Sequence, residues 1–156
     1  MPLLPALRSR NYRLFFAGQL ISLIGTWMQQ IAMIWLAYRL TDSAAMLGLV
    51  GFASQIPILL FGMLAGVWND RLDRRHLLLW TQFFSMLQAL ALFTLTLTGA
   101  VTPAYLVVLA FLLGCINAID LPARQAFVAQ LVEDKADLPN AIGLNSLLMN
   151  GSRFVG

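Results

Sequence analysis

The chain has 156 residues, 60% of them hydrophobic and 11% charged, with a mean hydropathy of +0.77. A soluble domain carries about a quarter charged residues, and ten Lys/Arg, seven Asp/Glu and one histidine fall well short of that. A soluble enzyme, a disordered tail and a nucleic-acid-binding domain are therefore poor readings, and the class is an integral membrane protein. The single cysteine, Cys115, lies in an apolar run, so neither an intrachain disulfide nor a multi-cysteine metal site is available.

A spanning helix needs about 20 mostly apolar residues. Leu14–Tyr38 carries no charge and forms the first span, 14–38. Arg8, Arg10 and Arg13 precede it as in a signal peptide, but the run is too long for such a segment and no small-x-small cleavage site closes it. Inside this span Gln19, Ser22, Thr26, Gln29 and Gln30 follow helical spacing and form one polar stripe. Amides are costly in lipid, so the stripe faces other helices or a water-filled cavity. Either it knits a bundle through interhelical hydrogen bonds, or it walls a solute cavity to which Trp27, Met28 and Met33 add adaptable apolar contact.

The charge-free stretch Ser43–Asn69 supplies a second span, 46–68. It carries a GxxxG unit, Gly62–Gly66, that permits close helix approach, and a mid-span Pro57 that predicts a kink. The run Leu77–Ile119 is too long for one helix and breaks at Thr98–Pro103, giving spans 77–98 and 104–121. Gln82, Ser85 and Gln88 repeat the polar pattern weakly in the third span. A fifth apolar stretch, 139–156, amounts to roughly 27 Å of helix, slightly short of the bilayer core. It holds Asn145, Ser146, Asn150 and Arg153, and the arginine lies about 21 Å along it. A guanidinium at that depth is either functional or part of a structural ion pair.

With alternating spans, Arg8, Arg10, Arg13, Arg71, Arg74, Arg75, Arg124 and Lys135 fall on one side, against Arg39 on the other. This asymmetry places the N-terminus in the cytoplasm. The net charge of +3 is thus a topology signal and not a nucleic-acid footprint. Trp35, Tyr38, Tyr12 and Trp68 suit interfacial anchors.

The connection between the second and third spans reads Gly66-Val67-Trp68-Asn69-Asp70-Arg71-Leu72-Asp73-Arg74-Arg75. It resembles motif A of the major facilitator superfamily through Gly66, Asp70, Arg71, Arg74 and Arg75, in the position that motif occupies. Asp73 departs from the pattern, which has glycine there, and puts the usual tight turn in question. Asn11–Phe15 and Asp120–Phe127 look like the branch containing the enterobactin exporter and macrolide-efflux proteins, and Asn140-Ala141, Asn145-Ser146 and Asn150…Arg153…Gly156 continue the likeness. The resemblance implies an all-α membrane fold: four complete spans and most of a fifth, from the first half of a twelve-helix carrier.

It further implies secondary active export of an amphipathic organic solute, of siderophore or drug class, by alternating access in a bacterial inner membrane. The proton gradient is the implied energy source, with no cofactor. Asp70 would dock against the second half of the carrier, absent from this chain, and Asp120 would receive Arg74 or Arg71. A local i,i+4 pair between Asp120 and Arg124 competes with that reading, as does Asp120 acting as an N-cap with Pro122 in a first helical turn. Gln19, Thr26, Gln29, Gln30, Asn145, Asn150 and Arg153 are the candidate cavity residues. The expected partners are the lipid bilayer and a small organic substrate, not nucleic acid.

Two other classes compete. An intramembrane enzyme needs a Ser/His pair, two facing aspartates or a metal cluster, and His76, Ser152 and a lone Asp120 supply none of these. A small self-contained multi-span protein, such as an oligomeric multidrug carrier or a scaffold, fits the length but not the motif.

Overall fold

A computed structural model describes residues 10–131, 142–144, 146–148 and 150–151, with side chains except at 11, 65, 67–71, 129 and 131. Four long helices carry most of this: α1 Arg10–Thr41, α2 Ala44–Arg71, α3 Arg74–Leu97 and α4 Pro103–Leu131. The described residues of 142–151 are helical too. All four long helices have the length and apolarity to cross a membrane. Their outer surface agrees, since side chains as large as Leu59, Met63 and Phe93 are exposed.

Local chemistry explains each break. Thr41 ends α1 with its hydroxyl on the Ala37 carbonyl at 2.7 Å, and Asp42 follows in the left-handed region at φ 50°, which aspartate tolerates better than most residues. Gly99, at φ 68°, turns the chain after α3, and the Val101 N–H returns to the Leu95 carbonyl at 3.1 Å. Only Leu72 and Asp73 separate α2 from α3. Asp73 lies in extended backbone (φ −64°, ψ 114°) and caps α3 by accepting the Arg75 N–H. No left-handed residue is needed there, so the aspartate that departs from the motif pattern closes the connection as a cap.

The fourth helix differs from the expected span 104–121. It runs through Asp120 and Pro122 without a break to Leu131. Asp120 is not an N-cap, because its carboxylate is committed to side chains on α3 and α4. Pro122 lies in the helix interior, where its missing N–H leaves the Ala118 carbonyl without a helical donor.

The chain divides into two compact units, residues 32–124 and residues 1–31 with 125–156. In the first, Met33, Ala37, Val50, Ala53, Leu92, Leu106, Leu109, Ala110 and Leu113 form the core. Its alanines allow helices to approach closely. Met33 is fully buried in this core rather than lining a cavity. Among the described glycines the tightest approach is at Gly114: a Cβ there would overlap the Ser54 carbonyl and lie 3.0 Å from Pro57 Cγ. Gly62 and Gly66, the GxxxG pair, have open space where a Cβ would stand. In the second unit Tyr12 and Val128 are buried with Phe15, Phe16 and Leu144 around them, and Phe15 meets Phe127 edge-on at 5.3 Å.

Candidate functional site

Asp120 and Arg124 are one turn apart on α4, which puts them on the same helix face. Both are buried, with 3% and 5% of their surfaces exposed, and Arg124 Nη2 donates to Asp120 Oδ2 in an ion pair. The other carboxylate oxygen is reached from α3. Thr81 Oγ1 donates to Asp120 Oδ1 at 2.7 Å, and Gln82 Nε2 stands at a long 3.4 Å from the same atom. The acid thus has donors on both oxygens. The base does not match it, because Arg124 Nε and Nη1 are buried with no acceptor among the described residues. Taking two charges out of water costs several kcal/mol per ion, about what a well-placed pair recovers. A charged pair inside a spanning helix is accordingly a functional candidate by default.

The same two helices are tied again two turns along α3, where Gln88 Nε2 donates to the Leu109 carbonyl at 3.1 Å. The glutamines of the third span therefore act between helices. Thr81 carried no signal in the sequence beyond being one more small polar residue in an apolar helix. Only the carboxylate opposite it, on a helix 39 residues away in sequence, reveals its part.

Arg74 and Arg75 start α3, with Arg75 exposed and Arg74 half-buried. Neither forms an ion pair with Asp120 among the described residues, where the acid is taken by Arg124. Gly66 lies within α2, and the side chains of Asp70 and Arg71 lie outside the described residues. Asp73 also pairs with His76 Nδ1 at 3.1 Å. The Arg75 N–H, with the His76 side chain second, holds the Asp73 carboxyl below the ordinary carboxylate range. The helix dipole favours the same charged form. Since the folded value is lowered, this cap is fully present above the ordinary carboxylate value and is lost as pH falls through the lowered one. The protection of amides at the start of α3, taken relative to their intrinsic exchange rates, should fall in that window. In Asp73→Asn, which keeps the cap without the charge, it should not, and equal pH dependence in both proteins would remove the carboxylate as the cause.

On α1, Gln19 is buried with Oε1 lacking a donor among the described residues. Thr26 returns its hydroxyl to the Ser22 carbonyl of its own helix at 2.9 Å, and Gln29 and Gln30 are half-buried. Asn150 is exposed and bonds to the Ser146 carbonyl at 2.8 Å. Asn145 and Arg153 lie outside the described residues.

Comparison with known proteins adds three findings. A family model described as transmembrane secretion effector matches residues 2–156. The staphyloferrin A transporter of Staphylococcus aureus (strain NCTC 8325 / PS 47) is 32% identical over 143 residues, which is 91% of this chain and 36% of that protein. An uncharacterized MFS-type transporter of Bacillus subtilis (strain 168), YfiS, is 25% identical over 141 residues, covering 90% of this chain and 32% of its own. The chain spans about a third of the length of these relatives. No solved structure matches it.

Proposed function

Because the chain belongs to the transmembrane secretion effector family of major facilitator transporters, we propose that it serves secondary active export of an amphipathic organic solute. The observation that carries this reading is the buried Asp120–Arg124 pair, set within an apolar spanning helix and held from α3. A pair that merely fixed the bundle could be replaced by apolar side chains at no loss of stability, whereas a pair that changes partners during a cycle could not be replaced without loss of transport. The solute class is siderophore or drug, which the name of the staphyloferrin A transporter supports. The α1 residues Gln19, Gln29 and Gln30 supply amide groups to its path, and the energy comes from the proton gradient. Asp70, Arg71, Arg74 and Arg75 form a gate at the α2–α3 connection, on the cytoplasmic side if the arginine asymmetry sets the topology.

The test is accumulation of amphipathic dyes and ferric siderophores by cells with and without the protein. Expression should lower accumulation of at least one solute, and a protonophore should abolish the difference. Equal accumulation across the panel would sink the export reading, and a difference that survives the protonophore would sink proton coupling. Asp70→Asn should impair efflux while the protein still inserts. Efflux at the wild-type rate from that variant would remove Asp70 from the gate.

A further inference from the structure

Thr81 has one hydroxyl proton and two acceptors within reach. Asp120 Oδ1 on α4 is at 2.7 Å, and the Leu78 carbonyl on its own helix is at 2.9 Å. One proton cannot serve both fully, and the carboxylate, closer and charged, is the stronger acceptor. The Leu78 carbonyl is the ordinary fallback of a helical threonine, which bonds back to the carbonyl three or four residues earlier. Thr94, Thr96 and Thr98 of the same helix do so in this structure. A buried hydroxyl that loses its only acceptor is heavily penalised in an apolar environment. Thr81 does not face that penalty, because its proton passes from Asp120 to Leu78 without the side chain leaving its place. Gln82, at 3.4 Å, is at the limit of a hydrogen bond and does not replace it.

We infer that Thr81 is a releasable tether: its hydroxyl holds Asp120 to α3, with Oδ2 turned to Arg124, and falls back on Leu78 when α3 and α4 part. Threonine suits that duty because the contact is firm when made and leaves no orphaned proton when broken. The residue is a positioning residue for the charged pair, acting on it from the neighbouring helix.

The test uses the natural protein in membranes, with three variants and two readouts. Thr81→Val keeps the shape and removes the proton, while Thr81→Ser keeps the proton. Spin labels at Leu79 and Leu121 report the separation of α3 and α4 beside the pair. In Thr81→Val the label distances should shift toward longer separations and export should fall about tenfold, the effect of losing one charge-assisted hydrogen bond. Thr81→Ser should restore both. Wild-type distances in the valine variant, or a serine variant as impaired as valine, would overturn the inference. Should the valine protein fail to insert, Thr81→Ala takes its place under the same two outcomes. The rate arm rests on the export reading and the distance arm does not. A wild-type protein that exports nothing therefore sinks that reading alone and leaves the distances to decide the tether.

Discussion

Asp120→Ala lowers the stability of the folded bundle by about 3–5 kcal/mol, the usual loss when one partner of a buried ion pair is removed. The reason is what the substitution leaves behind. Arg124 is 5% exposed, its Nε and Nη1 already lack acceptors among the described residues, and the variant would strip Nη2 of its partner as well. Thr81 would lose its acceptor on α4 but keep the one at Leu78, so the penalty falls almost wholly on the guanidinium. Arg124→Met is milder, because the carboxylate it abandons still holds the Thr81 hydroxyl. The double replacement Asp120→Leu with Arg124→Met should recover most of the loss, since apolar pairs of similar volume often match or exceed a buried ion pair. Unfolding in detergent, followed by temperature or denaturant, compares all three variants with the unsubstituted protein. A double variant no more stable than Asp120→Ala would mean that the buried charge is not the source of the instability.

The second large effect is at Gly114. Gly114→Ala should destabilise by about 1–3 kcal/mol, because the added methyl meets the Ser54 backbone, which cannot rotate away as a side chain could. Ser54 is further pinned by its own hydroxyl, which donates to the Gly51 carbonyl at 2.7 Å. Pro57, packed against the same spot, removes one helical hydrogen bond from α2 and stiffens the contact. Gly62→Ala provides the opposite sign in the same measurement. Its Cβ enters open space, and alanine's better helix propensity adds up to about 1 kcal/mol. If both substitutions shift the melting temperature equally, the approach at Gly114 is not tight.

These two sites also show what the sequence makes legible. Helix number, order and approximate bounds follow from apolar run length and from Gly99 and Pro103, because a bilayer enforces both the length and the composition of a span. The i,i+4 relation of Asp120 and Arg124 is equally local and equally readable. Contacts between helices are not. GxxxG spacing at Gly62 and Gly66 permits a close approach, whereas among the described glycines the close approach is at Gly114, which no spacing distinguishes from other glycines in apolar helices. Asp120 and Pro122 carry the residue types of a helix start and are used inside a continuous helix, because the acid's partners, one on another helix, outweigh a local cap. Thr26, one residue of the α1 polar stripe, bonds back to the Ser22 carbonyl of its own helix, a local contact that the spacing alone does not reveal.

The link of Leu72 and Asp73 between α2 and α3 has a mechanical meaning. Thr81 lies eight residues beyond Asp73, about 12 Å along the helix, while Leu97 lies about 36 Å away. If α3 tilts about that link, a swing of about 10° carries Thr81 sideways by about 2 Å and the far end by about 6 Å. Two ångströms is enough to break a hydrogen bond of 2.7 Å, whereas a tilt of a few degrees is not. In such a swing the charged pair, fastened close to the fulcrum, would outlast small rocking that already strains the Gln88–Leu109 tie, about 22 Å along α3.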